Sequence, residues 1–426
     1  MSALNKFFYY KDNELFSEQL SLNSIAERYG TPCYVYSRAA LENAWQKLDQ
    51  AFNNHPHLIC YAVKANSNIA VLNVLAKKGS GFDIVSIGEL ERVLLAKGEP
   101  SKIVFSGLGK QAYEITRALQ VGIRCFNIES EREIDLINDC AKKLNCIAPV
   151  SVRVNPDVDP QTHPYISTGL KENKFGLPFS EAKRIYQKIQ SMSHLEAVGV
   201  DCHIGSQLTQ LEPFNAALEL MLSLIDELHG IGIMIKHFDF GGGLGVCYQN
   251  EQVPSAEEYV QSILNKLGDR KLEMILEPGR SIAANAGMFI TEVQFLKSNE
   301  DKHFAVVDGA MNDLIRPALY QAWQDIIPLK QPASELSQQK NEALCLDIVG
   351  PVCESGDFLG KDRTLSVQTG DKLAVCSAGA YGFVMSSNYN SRNRPPEIMV
   401  DGKNAHLIRE RENYDYQFQL ESLLPD

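Results

Sequence analysis

Between residues 58 and 280, short runs of β-branched and aromatic residues alternate with stretches whose apolar positions recur every three or four residues. This is the pattern of βα units that feed a parallel sheet. The runs read as ICYAV (59–63), FDIVS (82–86), KIVFS (102–106), RCFNI (124–128), VSVRV (150–154), VGVDCHI (198–204), HFDF (237–240) and EMILE (273–277). Intervening segments such as NIAVLNVLAKKG and GELERVLLAKG end near glycine, as amphipathic helices do. Eight such units predict an α/β fold built on a closed (β/α)8 TIM barrel. After about residue 285 the helical period fades, and FAVVDG, CLDIVG and KLAVCSAG are separated by Gly, Pro and Asp turns, which predicts an all-β second domain. The polar stretch PLKQPASELSQQKN (328–341) reads as an exposed loop. The first thirty residues, with FFYY and the helix-like LNSIAERYG, precede the barrel pattern and are compatible with either domain.

Composition narrows the classes. A chain of 426 residues exceeds the size at which one core stops growing, so two domains are expected. With 44% hydrophobic and 22% charged residues it is ordinary globular protein, and no apolar run approaches a membrane span. A formal charge of −12 argues against a nucleic-acid partner, which needs a basic face. The N-terminal MSALNKFFYYKDNELF lacks the layout of an export signal, so a cytoplasmic location is expected. Ten cysteines include no C-x-x-C pair and mostly lie in apolar runs, which disfavours disulfides and zinc, and no metal is expected. Cys353 stands apart in CESGD, a run rich in charge and glycine.

In (β/α)8 proteins reactive groups project from the C-terminal ends of the strands, so the residue ending each run carries most weight. The first run leads into Lys64, where partial desolvation lowers an amine pKa toward a usable value, although most lysines are simply solvated. Runs seven and eight lead into GGGLG (241–245) and EPGR (277–280). Barrels most often build a phosphate site on those two loops, and bare backbone lets N–H groups approach an anion; flexible turns would read the same way. Run six ends in HIGSQ, with the imidazole of His203 and the hydroxyl of Ser206; a core histidine is the competing reading. Arg153, inside an apolar run, needs a carboxylate, phosphate or phenolate partner, or else points outward into a salt bridge. A lysine for an imine, glycines for a phosphate and a carboxylate, Glu277, for a ring nitrogen together describe pyridoxal 5'-phosphate, whose protonated ring is an electron sink.

YAVKANSN, HIGSQ, GGGLG, EPGR, PVCESGD (351–357) and GAYGFVMSSNYNSR (379–392) occur in this order. The ordered set resembles the alanine-racemase-fold, pyridoxal-phosphate-dependent decarboxylases of basic amino acids, and among them the diaminopimelate decarboxylases, over nearly the whole chain. The resemblance implies an alanine-racemase-type barrel over residues 31–285, a β-domain over 286–426, and an N-terminal segment, 1–30, packing with the β-domain. It implies that Lys64 binds the cofactor aldehyde as an imine, that His203 stacks on the ring, and that Glu277 pairs with the ring nitrogen. Ser206, Gly241, Gly242, Gly243 and the backbone of Glu277, Pro278, Gly279 and Arg280 would hold the phosphate, with Tyr381 a further contact. Substrate would meet Arg280, Arg316, Tyr320, Glu354 and Tyr381.

A distal arginine has no partner on a substrate that ends in an amine alone, so Arg316 favours diaminopimelate, whose far end carries both carboxylate and ammonium. Cys353 matches the family's proton donor after CO2 leaves, a role open to a thiol that is protonated near neutrality. Cys353 and Glu354 would reach into a partner's site, implying a homodimer with shared active sites. The activity implied is release of CO2 from meso-2,6-diaminopimelate to give L-lysine, the last step of lysine biosynthesis. Decarboxylation of another basic amino acid or a carboxylated polyamine, racemisation, and a catalytically dead binding homologue are the rivals; Arg316 and CESGD, the cysteine, and the joint presence of Lys64, Glu277 and Cys353 weigh against them in turn. Ile87, Asn393 and Pro396 depart from the family's commoner residues, and none falls on an implied role.

Overall fold

The computed structural model of the chain describes residues 4–159, 174–300, 302–331 and 343–426. It divides into two compact units, one comprising residues 42–246 and 251–282, the other residues up to 41, 247–250 and 283–426.

The first unit is a closed parallel barrel. Its strands, in chain order, are His57–Ala62, Gly81–Ile84, Ile103–Phe105, Cys125–Ile128, Ala148–Asn155, Leu195–Asp201, His237–Asp239 and Glu273–Leu276. Each pairs with its neighbour in sequence, and the eighth returns to the first through the Met274–His57 and Leu276–Ile59 registers. A two-residue strand, Leu177–Pro178, pairs with the fifth from outside the ring. All eight expected strands are present, and their ends fall within three residues of the runs in the sequence.

Helices between the strands are set by local chemistry. Asn68 caps Ile69–Lys77 by accepting from the Ala70 N–H, and the helix buries Val71, Leu72, Val74 and Leu75. Ser86 accepts from the Glu89 N–H at the start of Ile87–Leu95, and Ser255 with Glu258 forms a reciprocal capping box on Ala256–Leu267. Each cap is worth about 1 kcal/mol.

Side chains alternate along a strand, so inward positions repeat every second residue. The lower barrel interior is apolar and includes Leu58, Cys60, Val104, Cys125, Val198 and Ile275. Two residues further along several of the same strands the interior turns polar, from Val104 to Ser106, Cys125 to Asn127 and Ile275 to Glu277, all buried. Gly199 is glycine because a Cβ there would lie 2.0 Å from His237 Nε2.

The second unit is built on a mixed sheet. Its long strand, Gly287–Asn299, pairs antiparallel with Cys33–Ser37, Lys302–Val307 and Lys372–Val375. Cys33–Ser37 runs parallel to Glu397–Asp401, which forms a hairpin with Asn404–Arg409. Lys302–Val307 continues to Leu344–Val349 and then Phe358–Leu365. Phe8, Leu15, Leu22 and Ile25 from the N-terminal segment share one core with Val35, Met288, Ile290, Ile398 and Val400. The strand Cys33–Ser37 therefore belongs to the sheet unit, a few residues past the boundary drawn at residue 31. The expected exposed loop at 328–341 falls mostly outside the described residues, but its start is not exposed: Pro328 ends a strand, and Leu329 is fully buried in the same core.

Among the described residues no helix is long and apolar enough to cross a membrane. The ten cysteines are all free.

Candidate active site

The barrel unit gathers its polar side chains at the C-terminal ends of the strands. Lys64 lies in a 3-10 turn, Val63–Ala65, just past the first strand. Its Nζ is 2.9 Å from Oδ2 of Asp83, which lies in the second strand with its side chain fully buried, whereas the lysine side chain is 41% exposed. The amine therefore reaches the open end of the barrel from a buried carboxylate anchor.

Three loops are zipped together by backbone hydrogen bonds. Leu208 N–H donates to Gly243 O (2.9 Å), Gly245 N–H to Leu208 O (2.9 Å) and Glu277 N–H to Gly241 O (2.7 Å). The glycines are required by how closely these loops approach. A Cβ on Gly241 would lie 2.7 Å from His203 Nδ1, one on Gly242 2.4 Å from the Glu277 carbonyl oxygen, and one on Gly243 2.7 Å from Gly205 O. Gly243 also has φ +115, in the region open to glycine. What remains is a stretch of bare backbone beside the fork of Arg280, whose Nε and Nη2 both donate to Ser206 Oγ at 3.2 and 3.1 Å. Bare backbone, a hydroxyl and a guanidinium form a donor set suited to a phosphate dianion.

His203 follows the sixth strand, and its Nδ1 accepts from the Gly242 N–H at 3.1 Å. Burial, with help from Arg153 and Lys64, holds its pKa well below the usual value. The ring is neutral, with its proton on Nε2, and is suited to stacking rather than to carrying charge. Glu277 follows the eighth strand, directly beside the first, and accepts from Ser106 Oγ at 3.2 Å. Burial, then the carboxylates of Asp239, Asp83 and Asp201, push its pKa well above the carboxylate range, with Lys64 opposing. A buried carboxyl in this state is stabilised by a cationic N–H partner, such as a protonated ring nitrogen. These residues fit a phosphorylated pyridine aldehyde: an amine, a neutral flat ring, a nitrogen acceptor and a phosphate cradle.

Arg153 in the fifth strand points into the barrel, not outward. Its Nη1 donates to Glu129 Oε1 at 3.1 Å, and its Nε is 4.0 Å from Asp201 Oδ2. Burial alone would lower its pKa, but Glu129, Asp201 and Glu277 more than offset that. Its charged partners are carboxylates, and its guanidinium also lies 5.0 Å from the centre of the Phe175 ring.

The remaining candidates lie in the sheet unit. Arg316 begins the short helix Arg316–Tyr320, is buried, and holds its guanidinium 4.7 Å from the centre of the Tyr248 ring. Tyr320, at the other end of that helix, is half-buried. Cys353 and Glu354 are exposed on a loop organised by Asp357, which accepts from Met311 N–H and Val352 N–H, both at 2.7 Å. Cys353 N–H donates to Asn390 Oδ1 (3.3 Å), and Glu354 Oε1 accepts from Tyr389 Oη (2.6 Å). Tyr381 adopts φ +56, costly for a bulky residue and a common mark of a functional turn.

Sequence reasoning missed Asp83, Ser106, Asn127, Asp201 and Asp239. The signal was available: each is a polar residue within one position of the C-terminal end of a barrel strand, where an inward side chain faces the mouth. Oxygens of Asp201, Asp239 and Glu277 lie within 4.8 Å of one another, close enough to ligate a cation. Hydrogen bonds from Asn127, Gly241 and Ser106 already occupy Asp239 and Glu277, and Arg153 supplies positive charge next to Asp201.

Residues 38–284 match the family model of the pyridoxal-dependent decarboxylase, pyridoxal binding domain. A diaminopimelate decarboxylase from Vibrio cholerae is 57% identical, covering 99% of this chain and 100% of the relative. The crystal structure of diaminopimelate decarboxylase from M. jannaschii in co-complex with L-lysine superposes with a TM-score of 0.93 at 38% identity, covering 100% of this chain and 99% of that one. The Helicobacter pylori diaminopimelate decarboxylase complexed with L-lysine gives a TM-score of 0.88 at 42% identity, covering 93% and 98%.

Proposed function

The chain belongs to the diaminopimelate decarboxylases, and from that premise we propose that it removes CO2 from meso-2,6-diaminopimelate to give L-lysine, as a cytoplasmic enzyme of lysine biosynthesis. The observation that carries the reading is the placement of Lys64 and Glu277 just past the ends of two adjacent strands of the closed barrel, with the bare backbone of Gly241–Gly243 packed against Glu277. When bound, pyridoxal phosphate supplies an electron sink for the charge left at Cα as the carboxylate departs.

The residues do the rest. Lys64 would hold the cofactor through its aldehyde group, with Asp83 orienting the Lys64 amine from 2.9 Å. Ser206, Gly241, Gly242, Gly243 and the run Glu277, Pro278, Gly279 and Arg280 anchor the phosphate, and Tyr381 adds a contact. His203 covers one ring face as a neutral plane, and Glu277 keeps the ring nitrogen protonated. Arg153 stays held by Glu129 and Asp201 at the edge of the site.

Arg280, Arg316 and Tyr320 bind substrate carboxylate, and Glu354 binds the distal ammonium. Cys353 delivers the proton to Cα. Both Cys353 and Glu354 are exposed on the single chain, and a thiol that must protonate carbon works in a site closed to water. A homodimer in which each subunit lends this loop to its partner's site answers that requirement.

The test is turnover of the purified protein with pyridoxal phosphate, offered meso-diaminopimelate, lysine, ornithine and arginine separately. Lysine and CO2 from diaminopimelate alone are expected. Turnover of ornithine or arginine in its place would overturn the role given to Arg316.

A further inference from the structure

Below the open end of the barrel, the carboxylate assigned to the ring nitrogen belongs to a closed hydrogen-bonded group. Asn127, fully buried in the fourth strand, has two N–H donors on Nδ2 and spends both inside the barrel, on Ser106 Oγ at 3.1 Å and on Asp239 Oδ2 at 3.2 Å. Ser106 Oγ–H in turn donates to Glu277 Oε1 at 3.2 Å. Asp239 uses its other oxygen, Oδ1, to accept from the Gly241 N–H at 3.0 Å, at the first glycine of the phosphate loop. One amide side chain thus fixes a carboxylate on the seventh strand and, through a hydroxyl, the carboxylate after the eighth.

We propose that Asp239 and Asn127 are positioning residues for the electron sink: Asn127 locks the two carboxylates in register, and the negative charge of Asp239 strengthens the hold of Glu277 on the ring-nitrogen proton. This rests on the assignment of Glu277 to that nitrogen. The groups facing Glu277 are the carboxyls of Asp83, Asp201 and Asp239 and the cations Lys64 and Arg153. Among the carboxyls, Asp239 acts most strongly on Glu277. Its oxygen lies within 4.8 Å of that of Glu277. At an effective dielectric near 20, one full charge at that distance shifts the proton equilibrium of Glu277 by about 2.5 pH units, roughly 300-fold, and that of a ring nitrogen beyond it by less. Burial pushes the Asp239 carboxyl up, to about 6, against hydrogen bonds from the Gly241 N–H, Asn127 and Glu277 that favour its charged form. Losing Asn127 would let Asp239 protonate and remove its charge by a second route.

The experiment is 15N NMR of holoenzyme reconstituted with ring-15N pyridoxal phosphate, titrated from pH 6 to 9, on the wild type and on Asp239→Asn, Asn127→Ala and Glu277→Gln. The wild-type ring nitrogen is expected to stay protonated throughout. Asp239→Asn should bring its deprotonation down by about two units, with Asn127→Ala moving it in the same direction by less. A merely structural role would lower stability and leave this titration in place. Unchanged titrations in Asp239→Asn and Asn127→Ala, with Glu277→Gln losing the proton, would overturn the inference alone. A ring nitrogen still protonated in Glu277→Gln would overturn the assignment beneath it. If Asp239→Asn does not fold, Asn127→Ala decides.

Discussion

Substituting Gly242 with alanine separates the steric demand of the phosphate cradle from every other role of glycine. Gly242 has no positive φ, so alanine meets no backbone penalty there. The added methyl would instead stand 2.4 Å from the Glu277 carbonyl oxygen and 3.2 Å from its carbonyl carbon, against an ordinary contact of 3.4–4 Å. About 1 Å must be found, and both walls are backbone, so no rotamer change relieves it. Overpacking of this kind costs about 1–3 kcal/mol. The strain falls on loops seven and eight, which carry the bare amides and Glu277. Displacement by roughly an ångström is expected to weaken pyridoxal phosphate binding by about 10- to 100-fold, equivalent to about 1.4–2.8 kcal/mol. Gly268→Ala is the matched control. Gly268 has φ +60 with ψ −135 and nothing within 4 Å, and it caps the helix Ala256–Leu267 ahead of the eighth strand, so its cost of about 1–3 kcal/mol is purely conformational. Thermal denaturation of both apo variants and absorbance titration with the cofactor give the two quantities. An unchanged cofactor Kd in Gly242→Ala, or equal weakening in Gly268→Ala, would refute the reasoning.

Mixing Lys64→Ala with Cys353→Ala subunits should restore about a quarter of wild-type activity, because half of randomly paired dimers are hybrids with one intact site of two; verified hybrids without activity would sink the shared site. Arg316→Met should lower kcat/KM for diaminopimelate by about 10- to 200-fold through loss of a charged hydrogen bond, with the cofactor spectrum unchanged, and a spectral change would instead place Arg316 on the cofactor. Glu412 gives a pH test in the sheet unit. Against the upward push of burial, the Arg394 and Asn388 hydrogen bonds hold its carboxyl down to about 2. Its folded pKa lies below the unfolded value of about 4.3, so its contribution is fully present above that value and is lost as pH falls through about 2. Glu412→Gln should therefore lower stability by up to about 3 kcal/mol at pH 7 and very little near pH 2 in urea denaturation, whereas an equal loss at both pH values would point to packing instead.

The barrel was legible in the sequence because its signal is local. Each strand is one apolar run, each crossover one amphipathic helix, and the chain order of the strands is also their order around the ring. The sheet unit was legible only as a class. Its long strand, Gly287–Asn299, joins Cys33–Ser37, some 250 residues upstream, and that strand in turn joins Glu397–Asp401, so pairing rests on contacts that no local period encodes. Cys33–Ser37 is buried at every position, and its partners in the sheet lie far along the chain, so nothing local places it with that sheet rather than with the barrel. The same contrast divides the site. Lys64, His203, the glycines and Glu277 sit in loops, where a polar residue or bare backbone departs from its surroundings. Asp239 and Asn127 sit one letter deep in HFDF and RCFNI, where a single polar residue looks like the hydrophilic face of a half-buried strand. Closing the barrel removes that face: an inward polar side chain near the end of a strand has no water to meet, so it must bond to its neighbours on the ring. A strand-end Asp or Asn in a sequence that predicts eight such strands is therefore a candidate for the site even when no motif includes it. The Asp239 and Asn127 titrations test that rule as directly as they test the two residues.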